Sequence, residues 1–164
     1  MSRSAIELLL YSMDRAFEGD PRAPVDWHSL AAHVRALQPK SWAYLPAGAK
    51  RSAFDIVAHL GEGQYVWDSQ AFGDGSMHWD RPGSVPMVTI ESSGEDVLGW
   101  LRESYRRRRE HVAALEDDAE LDRPRMTPQG ATANTRWIIS TMIEHDVYHA
   151  GELNVLRELC QGDA

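Results

Sequence analysis

The sequence contains a single cysteine, Cys160, among its 164 residues. One cysteine cannot form an internal disulfide, which fits a reducing cytosol, and it excludes a cysteine-rich metal site. Long hydrophobic runs are missing as well, since no segment approaches the roughly 20 apolar residues that a membrane span requires. The apolar run near the N-terminus is too short for a signal peptide. We therefore expect a soluble, cytoplasmic protein that does not contact membranes.

Positive charge is also scarce, because 17 Lys and Arg residues face 25 Asp and Glu residues, for a net charge of −8. A nucleic-acid surface needs a basic stripe that neutralises phosphates, so no nucleic-acid partner is expected. The one basic run, Arg106 to Arg109, is flanked by Glu103 and Glu110 and predicts a solvated helix face with ion pairs. Glycine-rich phosphate loops and Gly-x-Ser-x-Gly elbows do not occur.

Strand patterns are nearly absent, and "VPMVTIE" at 85–91 is the single short candidate. Apolar residues instead recur at helical spacing, which predicts helices over about 4–17, 26–37, 52–71, 92–117 and 135–159. The segments 41–50, 73–93 and 121–134 are predicted connections. Because this length suits one core and no linker divides it, we predict a single all-α domain over residues 1–164. Its architecture would be a four-helix bundle with a short extra helix after the first helix.

Three predicted helices open with a serine that is followed three residues later by an acidic residue. These serines are Ser4, Ser52 and Ser92. The pattern is typical of a capping box, in which the two side chains and two backbone amides satisfy one another.

The last predicted helix contains "EHDVYHAGE", which sets His145 and His149 one turn apart. The pair shares a face with Met142 and Leu153 and should point into the core. Two neutral imidazoles at this spacing can chelate one divalent ion. The spacing alone is weak evidence, because two core histidines with ordinary hydrogen-bond partners give the same pattern. A mononuclear site would also need a third ligand.

His59 is the candidate third ligand, because it lies on the apolar stripe of the second long helix. Its surroundings, "HLGE" at 59–62, repeat those of His149, "HAGE" at 149–152. Each motif places a small residue beside the imidazole and a carboxylate three positions later. Glu62 and Glu152 could accept a hydrogen bond from a ligand, bind the ion, act as a base, or simply face solvent. Two carboxylates favour one metal over a dinuclear site.

The segment "HDVYHAGELNVLREL" closely resembles the last-helix signature of the DinB/YfiT-like family, His-x-x-x-His-x-Gly-Gln followed by apolar residues. "FDIVAHLGEGQYVW" resembles the family's second long helix, which contributes one histidine. The resemblance implies the DinB/YfiT-like bundle topology, a homodimer, and one metal held by His59, His145 and His149. Zinc or nickel would be the first candidates, followed by iron or manganese. Glu152 departs from the family pattern, which often has glutamine there.

Three functions are consistent with these residues, and the sequence leaves open whether the chain is an enzyme. The resemblance implies transfer of a low-molecular-weight thiol, such as bacillithiol or mycothiol, to an electrophile. The loop 73–93 and the aromatics Tyr65, Trp67 and Tyr148 would then shape the pocket. No cationic cluster near the histidines is evident. The alternatives are a metal-dependent hydrolase with Glu62 or Glu152 as base to metal-held water, and a non-catalytic, stress-associated metal-binding dimer.

Overall fold

The computed structural model describes residues 2–22 and 29–162. Within these ranges lie six α-helices, one 3-10 helix and one two-stranded antiparallel sheet. The elements are α1 (Ser4–Phe17), α2 (Leu30–Ala36), α3 (Pro39–Trp42), α4 (Ala53–Phe72), α5 (Gly94–Ala113), a 3-10 helix (Asp118–Asp122), β1 (Pro124–Met126), β2 (Thr132–Asn134) and α6 (Thr135–Gly162). The part of predicted helix 26–37 that covers residues 26–28 lies outside the described residues.

The four long helices α1, α4, α5 and α6 surround one hydrophobic core, and α2 packs onto α5 and α6. The largest fully buried side chains in this core include Ile6, Phe17, Leu60, Leu101 and Leu153. They come from α1, α4, α5 and α6, so every long helix buries an apolar stripe against the others. The fold is therefore mostly helical, as predicted. No helix in the described ranges has the length and apolar character needed to cross a bilayer.

Serine caps fix the starts of α4 and α5. At α4, Ser52 and Asp55 form the predicted capping box, with each side chain accepting from the other's backbone amide. At α5 the cap is Ser93, whose hydroxyl accepts from the amide of Asp96. The predicted cap at Ser92 is therefore displaced by one residue, because the neighbouring serine has an acidic residue three positions on as well.

The capping box predicted at Ser4 is wrong. Arg3 is the N-cap of α1 and makes no side-chain cap. The amides of Ala5 and Ile6 donate instead to the carboxylate of Asp118. A residue far away in the sequence thus satisfies the first turn, and no local pattern could reveal it.

The connections contain more structure than the sequence predicts. "VPMVTIE" forms no strand, whereas residues 124–134 form a hairpin in which Arg125 pairs with Ala133. Gly130 in its turn has a φ of 78°, a conformation that glycine adopts without strain. Strands of three residues are too short to show the alternation by which strands are recognised. The predicted loop 41–50 begins inside α3.

The long connection 73–93 is held against the bundle at Trp100. The indole Nε1 donates to the carbonyl of Pro86 at 2.8 Å, and Val85 packs with Tyr65 beside it. The ring of Trp100 lies so close to Gly61 that a Cβ there would come within 2.2 Å of it. A glycine in the middle of α4 is thus required for this close approach, despite its lower helix propensity.

A charged pair lies inside the bundle. The guanidinium of Arg108 on α5 donates to the carboxylate of Asp146 on α6 at 2.7 Å, and both side chains are almost fully buried. The amide of Gln64 on α4 donates to the other Asp146 oxygen at 2.8 Å, and the hydroxyl of Ser104 donates to Gln64. The basic run is thus not wholly a solvated face. Arg106 does pair with exposed acids as predicted.

The only cysteine is enclosed between helices. Cys160 is 7% exposed, and its Sγ lies 3.5 Å from the hydroxyl of Ser41 on α3. Cys160 lies near the end of α6, so this contact is one of those by which α3 packs against the last helix.

Replacing Arg108 with methionine should lower the free energy of unfolding by about 3–5 kcal/mol, because Asp146 would stay buried without its countercharge. The matched control is Arg106→Met on the same helix, where loss of exposed ion pairs should cost no more than about 1 kcal/mol. Urea denaturation followed by circular dichroism measures both. Equal losses in the two variants would contradict the importance of the buried pair.

Candidate metal centre

Three histidines meet at one place between α4 and α6. His59 comes from α4, while His145 and His149 come from successive turns of α6. One ring nitrogen of each lies within 4.8 Å of those of the other two. The ring centroids are 4.5 to 5.2 Å apart. The structure therefore brings together the three residues that the sequence nominates as ligands.

The spacing of the donors suits a single transition-metal ion. Nε2 of His59 lies 3.1 Å from Nε2 of His145. Metal–nitrogen bonds of about 2.0–2.1 Å place two imidazole nitrogens on one ion roughly 3.0–3.4 Å apart. The same distance allows one imidazole to donate a hydrogen bond to the other. The buried Nδ1 of His145, which is not the nitrogen that faces His59, has no partner among the described residues. Both a hydrogen-bonded and a metal-binding histidine would normally satisfy that nitrogen, so it does not distinguish the two possibilities.

Burial favours the neutral form of two of these imidazoles. Desolvation, followed by the nearby His149, lowers the pKa of His145 to about 4. Desolvation, again followed by His149, also lowers the pKa of His59. A neutral imidazole offers the nitrogen lone pair that a metal requires, so these rings can bind an ion without first losing a proton.

Glu152 holds one of the histidines in place. Nδ1 of His149 donates to a carboxylate oxygen of Glu152, which leaves Nε2 of that ring for a ligand. A carboxylate that accepts from the second nitrogen of a metal-binding histidine fixes its tautomer and orientation. Both carboxylate oxygens of Glu152 also lie 3.4 Å from Nη2 of Arg51. Glu152 therefore joins the histidine cluster to the segment that precedes α4.

Glu62 has different surroundings. Its side chain is half-buried, and burial raises the pKa of its carboxyl group. It makes no hydrogen bond or ion pair with any residue in the described ranges. Unlike Glu152, it is thus not attached to the histidines by a direct contact.

A cavity of about 530 Å³ is lined in part by Glu152, the residue that holds His149, but none of the three histidines is among its lining residues. Tyr148 contributes to its wall and lies with its ring 5.0 Å from that of His149. Tyr65 and Trp67, which were also expected to shape the pocket, lie elsewhere: Tyr65 packs on Trp100, and Trp67 packs on Trp137.

The cavity also contains positive charge that the sequence did not reveal. Lys50 and Arg51 line it, although no cationic cluster near the histidines was expected. These residues precede α4 by a few positions, and their nearness to Glu152 arises from packing of distant segments. In the sequence, the only sign of this positive charge was a Lys-Arg pair beside a capping serine. Such a pair does not by itself indicate a binding site.

Comparisons with known proteins identify the family of this chain and support its fold. The family model described as Mycothiol-S-transferase matches residues 25–162. No curated protein matches the chain. A crystal structure of a protein assigned to the DinB family, from Exiguobacterium sibiricum 255-15, has a TM-score of 0.60 and 16% identity, covering 99% of this chain and 93% of that one. That likeness concerns the fold alone. The chain belongs to the mycothiol-S-transferase family, within the DinB-like proteins that its sequence resembles.

Proposed function

We propose that this protein binds one divalent transition metal through His59, His145 and His149 and transfers a low-molecular-weight thiol to an electrophile. Mycothiol is the thiol that the family description names. The observation that carries the proposal is the three-histidine cluster in a member of this family, with Glu152 both holding His149 and lining a nearby cavity. Imidazole donors suit zinc and nickel first, with iron or manganese as further candidates.

The transfer requires that the thiol lose its proton and that sulfur form a bond to an electrophilic carbon. A leaving group then departs, or the proton adds to the neighbouring carbon. The bound ion would supply Lewis acidity that favours the thiolate near neutral pH. His59, His145 and His149 would leave space on one side for the sulfur, and the cavity beside Tyr148 would receive the second reactant.

Glu152 acts in this proposal as a positioning residue. It accepts a hydrogen bond from His149 and faces Arg51, so its oxygens are engaged by two donors. The oxygen that accepts from His149 could take a proton from metal-held water only by giving up the contact that orients this histidine. This argument favours thiol transfer over hydrolysis with Glu152 as the base.

Metal-dependent hydrolysis remains the second candidate because of Glu62. Burial raises the pKa of this carboxyl group, and no described partner occupies it. A carboxylate with a raised pKa is a better general base near neutral pH. The third function, metal binding without turnover, differs from both in requiring no reactant in the cavity.

We further propose that the helices form the DinB-type four-helix bundle and that the chain acts as a cytoplasmic homodimer. Exposed apolar side chains on α1 and α6 support a dimer, since Leu8 is 63% exposed and adjoins Tyr11 and Val147 around a surface cavity. Neighbouring exposed apolar groups commonly mark an interaction surface.

The purified protein, prepared without a histidine tag, should contain one transition metal per chain by elemental analysis. His145→Ala and His149→Ala should each abolish stoichiometric retention, because two imidazoles leave the site incomplete. The matched control is His111→Ala, since His111 pairs with Asp68 away from the cluster and its loss should leave the metal content unchanged. Helical content should persist in all three variants. Unchanged metal in either ligand variant would refute the assignment.

Glu152→Gln should keep metal and most activity, because an amide oxygen can still accept from His149. Glu152→Ala should lose roughly 10–100-fold in metal affinity or activity. Conjugation of mycothiol to the neutral electrophile monochlorobimane, followed by fluorescence, measures activity. Inactive Glu152→Gln that still holds its metal would instead identify a proton acceptor. Turnover of an ester without thiol, abolished by Glu62→Gln, would favour the hydrolase.

Sedimentation should report about twice the chain mass of 18.5 kDa at micromolar concentration. Leu8→Glu should shift the protein towards the monomer, because a buried charge without a partner opposes association. Glu7→Gln, at an exposed polar position of the same helix, serves as the control. A wild-type protein that stays monomeric would overturn the dimer.

A further inference from the structure

The cavity lined by Glu152 and Tyr148 combines apolar and charged side chains. Ile56, Val155 and Leu156 contribute apolar surface, and Lys50 and Arg51 contribute cationic groups. About 530 Å³ is within the range of small-molecule sites. The composition suits a ligand that has an apolar body and a small charged group.

The lining residues of the cavity indicate that the ligand's charged group is an anion. Two cations and one anion, Glu152, face the cavity, although the chain as a whole carries a net charge of −8. The exposed Lys50 makes no hydrogen bond or ion pair with the described part of the chain. A cavity with a net positive lining, in a chain of negative net charge, favours an anionic ligand.

Arg51 is only weakly held by Glu152. The distances of 3.4 Å from Nη2 to both carboxylate oxygens exceed the 2.7–2.9 Å of a strong charge-assisted hydrogen bond. The Arg51 side chain is 40% exposed, and only one of its nitrogens contacts Glu152. The other N–H groups of Arg51 are therefore available to a ligand. If Arg51 turns towards that ligand, Glu152 can keep its hydrogen bond with His149.

We propose that the cavity selects a carboxylate-bearing, otherwise apolar electrophile, with Arg51 as its principal contact and Lys50 as a supporting charge. This inference rests on the proposed thiol transfer, in which the histidines serve the sulfur and the cavity serves the second reactant. The apolar body lies against Ile56 and Val155. Arg51 thus determines specificity and takes no part in the chemical step.

Two unreactive probes test the selection: 3-phenylpropanoate and its neutral amide, 3-phenylpropanamide. By isothermal titration calorimetry, the acid should bind the wild-type protein about three- to tenfold more tightly than the amide, because one partly exposed ion pair is gained. Arg51→Gln should reduce this preference to less than about twofold, and Lys50→Gln should reduce it partially. Arg106→Gln, an exposed arginine on α5, should preserve it. Glu152→Gln should strengthen acid binding, because the cavity loses its negative charge.

Equal binding of the two probes, or a preference that survives in Arg51→Gln, would overturn the inference. Comparison of the metal-loaded and metal-free protein identifies a competing cause. If the preference is lost when the metal is removed but is kept in Arg51→Gln, the ion holds the carboxylate. That result would also overturn the inference. Neither probe reacts or contains a thiol. A protein that discriminates between them through Arg51 but fails to conjugate mycothiol would therefore refute the proposed function and leave the anion selection intact.

Discussion

The ion pair between Arg108 and Asp146 constrains the rest of the structure, because it is buried and joins helices that are distant in sequence. Asp146 follows His145 directly on α6, and its second oxygen accepts from Gln64 on α4. Two charges in a protein interior are costly unless they meet in good geometry, so a rotation or translation of α6 would break both contacts. The pair thereby sets the register in which His145 faces His59.

Within the described part of the chain, not every polar atom in the network around Arg108 and Asp146 has a hydrogen-bond partner, and this affects how its role is interpreted. Nε and Nη1 of Arg108 are buried and have no partner among the described residues. Three apolar side chains of similar volume in place of Arg108, Asp146 and Gln64 would fill the same space without the cost of removing charged and polar groups from water. We therefore interpret the network as a device that specifies one arrangement of α4, α5 and α6.

Local signals in the sequence predicted a large part of the fold and the metal ligands. The capping box at Ser52 marked the start of α4, and helical periodicity placed His59, His145 and His149 on inward faces. These features depend on residues within a few positions of one another. The three histidines could be joined into one site because the family resemblance supplied the pairing of the two helices.

Features that arise from distant contacts could not be predicted in this way. Asp118 caps α1 from more than a hundred residues away, and Arg108 is buried within a run that otherwise reads as a solvated face. The approach of Arg51 to Glu152 likewise depends on how the segment before α4 meets α6. Each requires knowledge of which helices are neighbours and how they are rotated, and a single sequence does not contain that information locally.

The enclosure of Cys160 matters for a protein proposed to handle electrophiles. Its thiol is 7% exposed and faces Ser41 between α3 and α6. Reagents that alkylate sulfur need both access and a thiolate, and burial denies them the first. The chain carries no other cysteine. An electrophile that reaches the cavity thus meets no exposed cysteine thiol on the described surface, which would protect the proposed enzyme from alkylation at cysteine.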